Sequence, residues 1–110
     1  QNFKNFDNAY CFVGHTHLPI IFHYSQERGS AVPMIPEPGT QIQLSPRAII
    51  NPGSVGQPRD RDARAAYMLF DPYDEIIEYR RVIYDIEAVQ ERMRRAELPL
   101  RHIRRLEAGW

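Results

Sequence analysis

The chain reads AYCFVGHTHLP over residues 9–19, and this stretch decides how the rest of the sequence is interpreted. Residues 9–13 are apolar or aromatic without polar alternation, as in a strand that is covered on both faces. Gly14 frees the backbone to turn, so His15 and His17 are expected on a loop after the strand. Neutral imidazole binds Zn, Mn, Fe or Ni, and side chains at positions i and i+2 of an extended loop can project to the same side. The spacing fits a pair of metal ligands, and it fits a structural pair of histidines equally well.

Two imidazoles do not complete a catalytic metal site, which takes three or more protein ligands. The remaining histidines are poor candidates for the other ligands. His23 lies within a predicted strand and His102 lies among arginines on a predicted helix, so both are interpreted as packed or surface residues. Asp60, Asp62 and Asp71 lie in predicted turns and are interpreted as solvated or loop-stabilising groups. The sequence alone therefore predicts an incomplete metal site.

Several more strands are predicted from runs of β-branched and aromatic residues between turn residues. They lie at residues 20–24, 41–44, 47–50, 65–70 and 76–84. In the last of them neither alternate set of side chains is fully apolar, which places that strand near a sheet edge. Residues 25–40 are rich in glycine and proline, which predicts an exposed connection without regular structure.

The apolar period changes from two to 3.6 after residue 84, which predicts helices at the C-terminal end. Asp85 is a suitable N-cap, and Pro99 ends or kinks the first helix. A second short helix is expected to close at Gly109. The apolar stripe of the first helix consists of Ile86, Val89, Met93 and Ala96.

Bulk composition limits the class of protein. The chain has 110 residues, of which 43% are hydrophobic, enough for one small domain. Its formal net charge is +0, which argues against nucleic acid or a membrane surface as a partner. Cys11 is the single cysteine and is expected as a small buried thiol. With no apolar run long enough to span a bilayer and no possible internal disulfide, the expected location is the cytoplasm.

A second stretch changes how the histidine pair is interpreted. Residues 49–60 read IINPGSVGQPRD. Together with the loop at residues 14–19, this stretch closely resembles the calcineurin-like metallophosphoesterases, in particular their small bacterial and archaeal branch. The resemblance covers about residues 9–84. It implies an α/β (α+β) fold, in which this chain forms part of a four-layer αββα sandwich: mainly the second, largely antiparallel β-sheet together with the C-terminal helices.

The resemblance also implies a role for particular residues. His15 and His17 correspond to ligands of different ions in a dinuclear centre, so the intact protein is expected to hold two divalent metal ions, which are Mn, Fe, Ni or Zn. Asn51 and Ser54 correspond to groups that brace this site, or else they form an ordinary tight turn. The expected reaction is hydrolysis of a phosphomonoester or phosphodiester by water that the metal centre activates.

Two arginines are candidates for binding the substrate. Arg59 and Arg64 follow the turn, and guanidinium groups suit phosphate oxygens. The alternative for both is a salt bridge within the loop. No residue of the chain is assigned a catalytic role of its own.

The sequence departs from the family pattern in lacking the motifs that carry the other metal ligands. Residues 1–110 are therefore expected to form the C-terminal part of a single domain, with a sheet and metal-binding loop at residues 9–84 and helices at residues 85–110. The expected partners are a phosphate-ester substrate and the missing N-terminal half or a companion chain. The fragment alone is expected to be inactive, and its uncovered apolar faces predict oligomerisation.

Two other functions remain open at this point. A non-catalytic scaffold would keep the loop without binding metal. A module that binds nucleic acid or an acidic protein would use the arginines of the C-terminal helices, although interleaved glutamates are typical of a solvated helix face. These arginines are Arg92, Arg94, Arg95, Arg101, Arg104 and Arg105.

Overall fold

The computed structural model describes residues 2–110 and contains seven strands and two α-helices in that part of the chain. A short 3₁₀ helix at Asn2–Asn5 precedes them. The strands are β1 (Tyr10–Phe12), β2 (Pro19–Ser25), β3 (Ser30–Met34), β4 (Gln41–Gln43), β5 (Ala48–Pro52), β6 (Ala65–Asp71) and β7 (Ile76–Val82). The helices are α1 (Ile86–Arg95) and α2 (Leu100–Ala108). Neither is long and apolar enough to cross a membrane.

The strands form two sheets. The first sheet has the order β1-β5-β2-β3, and the second has the order β4-β7-β6. Strand β1 pairs with β5 in parallel, with Tyr10 opposite Ala48, whereas every other pairing is antiparallel. The predicted mixture of sheet and C-terminal helices is confirmed, and the strands divide between two sheets where mainly one was expected.

Strand β3 corrects the prediction that residues 25–40 lack regular structure. Ser30–Met34 pairs with β2, with Pro33 opposite Phe22. The sequence pattern misled because proline usually interrupts a sheet. At the edge of the first sheet Pro33 is tolerated, since only one side of the strand needs backbone donors.

The prediction that the strand at residues 76–84 lies near a sheet edge is wrong. Strand β7 is the central strand of its sheet. Ile77 and Tyr79 are 0% and 2% exposed. Arg81 has the same parity and blurred the apolar pattern, yet its side chain is only 1% exposed and pairs with Asp60. The paired cation of Arg81 therefore occupies an inward-facing position of β7 where an apolar residue is usual.

The core lies between the two sheets. Its centre is formed by five buried residues, and half-buried side chains pack around it. Each fully buried Ile or Leu contributes about 1.5–3 kcal/mol relative to an exposed one. Cys11 is half-buried and outside this cluster, so the expectation of a buried thiol is met only in part. The central residues are Ile21, Leu44, Ala48, Ile50 and Ile77.

The two helices begin and end close to where the sequence places them. The Asp85 carboxylate accepts a hydrogen bond from the Ala88 backbone N–H at 2.9 Å and caps α1. Gly109 closes α2 in the left-handed conformation, with φ 67°. The Gln90 amide donates to the Ile103 carbonyl at 2.8 Å, so α1 and α2 contact each other and form the helix pair.

Candidate metal centre

The parallel pairing of β1 and β5 brings the two decisive stretches of sequence together. Since parallel strands end at the same edge of a sheet, the loop at residues 13–18 and the turn at residues 51–54 are neighbours. The Val13 N–H donates to the Ile50 carbonyl at 2.9 Å and fixes their register. The histidine loop and the Asn-Pro-Gly-Ser turn therefore form one structural unit.

His15 and His17 both lie in the left-handed region of backbone conformation, with φ 77° and 62°. For a residue that carries a Cβ, this region costs roughly 1–2 kcal/mol. Such strain persists where the surroundings impose it, and it clusters at functional sites. His15 is exposed and His17 is half-buried. The loop thus carries two imidazoles on a backbone whose conformation is energetically unfavourable by itself.

Asn51 holds this loop in place. Its side chain is at the end of β5, and the residue is only 3% exposed. The amide nitrogen donates to the Gly14 carbonyl at 3.1 Å and to the Thr16 hydroxyl at 3.0 Å. The amide oxygen accepts from the Gly53 N–H at 3.0 Å. Asn51 thereby binds the loop on both sides of His15.

One hydrogen bond determines where His17 carries its proton. The ring nitrogen Nδ1 lies 2.7 Å from the Gln57 carbonyl oxygen. Because a carbonyl oxygen only accepts, Nδ1 is the donor, and in the neutral ring the lone pair lies on Nε2. Histidines that bind metals are commonly oriented in this way.

Ser54 acts on His17 through Gln57. Its hydroxyl oxygen accepts from the Gln57 N–H at 2.9 Å, so the same peptide segment is held at its nitrogen and at its carbonyl. The turn before it requires glycine at position 53, where φ is 86° and an added Cβ would lie 3.0 Å from the Ala66 Cβ. Gln57 was not a predicted site residue, and a backbone acceptor leaves no signal in residue type.

The two candidate substrate arginines differ in what they contact. Arg64 forms a bidentate pair with Asp62, with Nε and Nη2 at 3.0 and 2.6 Å. This hydrogen bonding lowers the pKa of Asp62 to about 2. Arg59 is exposed and donates to the Gln57 side-chain oxygen at 3.0 Å. The guanidinium group of Arg59 therefore lies beside Gln57, the residue that contacts His17. The guanidinium group of Arg64 is bound by Asp62.

The remaining histidines lie elsewhere. His23 is half-buried in β2, where burial lowers its pKa, and its Nε2 accepts from the Ser45 N–H at 3.4 Å. His102 is half-buried on α2 and lines a cavity with Gly56 and Gln57. Within residues 2–110, no three His, Cys, Asp or Glu side chains are grouped so that they could hold a metal ion. The donors of the loop suit a transition metal, but they form only part of a ligand set.

Three proteins are similar to this chain in sequence, and two of them were also compared in structure. A crystal structure of a metallophosphoesterase from Sphaerobacter thermophilus matches 99% of this chain and 45% of that one, with 44% identity and a TM-score of 0.91. The uncharacterized protein MJ0912 of Methanocaldococcus jannaschii is 40% identical over 88 residues, which are 80% of this chain and 34% of the relative. A crystal structure of the hypothetical protein PH1004 from Pyrococcus horikoshii OT3 matches 69% of this chain and 30% of that one, with 25% identity and a TM-score of 0.53. No protein-family model matches the sequence.

The likeness to the Sphaerobacter enzyme covers nearly the whole chain in both sequence and structure. The chain belongs to the calcineurin-like metallophosphoesterase superfamily, which confirms the resemblance seen in the two loops. It spans less than half the length of these relatives.

Proposed function

We propose that the protein carrying this chain is a metal-dependent phosphoesterase that hydrolyses phosphomonoesters or phosphodiesters, and that His15 and His17 are two of its metal ligands. The observation that carries the proposal is the strained loop itself. His15 and His17 both have a positive φ, and the buried Asn51 amide binds the loop on both sides of His15, at Gly14 and Thr16. The similarity to a metallophosphoesterase supports the same conclusion.

The proposed cofactors are two divalent ions, which are Mn, Fe, Ni or Zn. When bound, such a pair of ions activates water and offsets the negative charge that develops on the phosphate oxygens. His17 would bind through Nε2, because its Nδ1 is engaged by Gln57. Asn51 and Ser54 keep the loop and its supporting segment in place. The bridging carboxylate and other ligands would come from polypeptide beyond these 110 residues, in the same domain or in a companion chain.

The proposed role for Arg59 is to contact the substrate phosphate. Its guanidinium is exposed beside Gln57 and contacts a neutral oxygen, so it can exchange that contact for an anion. Arg64 is the weaker candidate, since its Nε and Nη2 already bind Asp62. A reducing compartment such as the cytoplasm suits the free thiol of Cys11.

Hydrolysis of p-nitrophenyl phosphate and bis(p-nitrophenyl) phosphate by the complete polypeptide tests the proposal. His15→Ala and His17→Ala are each expected to lower kcat/KM at least about 100-fold, as expected for loss of a metal ligand. His23→Gln is the matched control, because it removes an imidazole outside the loop and keeps an acceptor for the Ser45 N–H. Activity that survives both loop substitutions would contradict the proposal.

A further inference from the structure

The segment after the Asn-Pro-Gly-Ser turn lies against the helix pair. Gly56 and Gln57 line a cavity of about 320 Å³ together with Val89 of α1 and Leu106 of α2, among others. Leu106 is 4% exposed. The residue that contacts His17 through its carbonyl is therefore next to the apolar face of the helices.

A second contact lies a few residues further along the segment. The Arg61 N–H donates to the Gly109 carbonyl at 3.0 Å. A Cβ at position 109 would lie 2.8 Å from the Arg61 carbonyl carbon and from the Asp62 nitrogen, so the end of α2 touches this backbone directly. The guanidinium of Arg61 lies 4.8 Å from the ring centroid of Trp110, an arrangement that adds cation–π attraction.

The segment also contacts β7. Arg81 donates to the Asp62 and Arg64 carbonyls at 3.0 and 2.8 Å, and it pairs with the Asp60 carboxylate. Residues 60, 62 and 64 are thus bonded to β7, and residues 56, 57 and 61 lie against the helix pair.

We propose that the helix pair is a positioning element for His17. By supporting Gly56 and Gln57 it keeps the Gln57 carbonyl where it accepts the Nδ1 proton of His17, so that the lone pair on Nε2 would be available to a metal ion. This role rests on the proposed function, in which His17 is a ligand. Without a fixed acceptor the neutral imidazole can carry its proton on Nε2, and in that form Nε2 cannot bind a metal. Partners that orient ligands in this way typically affect metal affinity 10- to 100-fold.

The test compares two equivalent truncations in the complete polypeptide. Leu106→Ala opens the cavity under Gln57, and Leu44→Ala removes an equally buried leucine, 2% exposed, from the core between the sheets. The ring protonation of His17 is read in the metal-free protein from imidazole ¹⁵N chemical shifts, and Mn²⁺ affinity is read by calorimetry. Leu106→Ala is expected to lower the fraction of the Nδ1–H form and to weaken Mn²⁺ binding about 10-fold, whereas Leu44→Ala changes neither.

Two further variants keep the test decisive. Val89→Ala makes a smaller change in the same cavity and is expected to act in the same direction if Leu106→Ala does not fold. Gln57→Ala keeps the backbone carbonyl and is expected to leave the Nδ1–H form unchanged. An unchanged ring in both cavity variants, or an equal shift in Leu44→Ala, would overturn the positioning role.

His17→Ala separates this inference from the proposed function. If His17→Ala abolishes tight Mn²⁺ binding while the cavity variants leave the ring unchanged, only the positioning role fails. If His17→Ala retains Mn²⁺ affinity, His17 is not a ligand and both proposals fail.

Discussion

At the scale of single residues, the positive φ of His15 and His17 lowers the stability of the histidine loop and determines where the two side chains lie. His15 is exposed with φ 77°, so the strain of its backbone is not offset by burial of its ring. Positive φ is tolerated best by glycine and, less often, by Asn, Asp or His. Histidine is among the tolerated types, so the positive φ of His15 together with the exposure of its ring fits a role for the imidazole in binding.

Glycine and alanine substitutions can measure that strain. His15→Gly is expected to be more stable than His15→Ala by about 1 kcal/mol, because only glycine adopts positive φ without a steric cost. The free energy of unfolding from urea titrations gives the difference. Thr16 is the control, since it lies between the two histidines without positive φ. There the order reverses, and Thr16→Gly is expected to be less stable than Thr16→Ala by roughly 0.5–1 kcal/mol. An alanine variant at position 15 as stable as the glycine variant would show that the strain is absent.

Site residues that act through their side chains could be predicted from the sequence, and those that act through the backbone could not. His15 and His17 are candidates because of their residue type and spacing, and Asn51 and Ser54 are candidates through the resemblance to the family. The contact between Gln57 and His17 uses a backbone carbonyl, which any residue possesses. Residues of this kind are visible only once the fold has brought positions 17 and 57 together.

At the scale of secondary-structure elements, six of the seven strands and both helices could be predicted from local patterns. The failures involve elements whose environment overrides the pattern. Strand β3 contains Pro33 and is accepted because it is an edge. Strand β7 is central although it carries Arg81, whose charge is neutralised by carboxylates that lie about twenty residues away in sequence. Pairings at such a distance cannot be recognised from a single strand.

Arg81 joins β7 to the segment that supports His17, and its removal is expected to be costly. Arg81→Ala leaves Asp60 and Asp62 without their buried partner, so the free energy of unfolding is expected to fall by about 2–4 kcal/mol. Arg80→Ala is the neighbouring control. Its side chain is 47% exposed and pairs with Glu78, so a loss of less than about 1 kcal/mol is expected. Chemical denaturation of both variants measures these losses, and equal losses would show that Arg81 is not a buried support.

At the scale of the whole molecule, the outer face of the first sheet is only partly covered within residues 2–110. Val13 is 41% exposed on this face, and it lines an apolar cavity of about 540 Å³ with Cys11, Phe22 and Ile49. We expect further polypeptide of the same protein, or a companion chain, to cover this surface. The expected oligomerisation of the fragment has the same physical origin.

Self-association of residues 1–110 produced alone tests this expectation. Light scattering after size-exclusion chromatography is expected to show a mass above that of one 12.9 kDa chain. Val13→Glu is expected to reduce association, because it places a charge on the uncovered face. Val82→Glu, at a position 45% exposed on β7, is expected to leave it unchanged. A monomer at all concentrations would show that the face needs no cover.

We propose that this chain contributes His15 and His17 to a dinuclear metal centre. The metal content of the complete polypeptide tests this directly when it is measured by elemental mass spectrometry beside the double variant His15→Ala/His17→Ala and the control His23→Gln. We expect about two transition-metal ions per molecule in the native protein and in the control, and loss of both in the double variant. Equal metal content in all three proteins would contradict it.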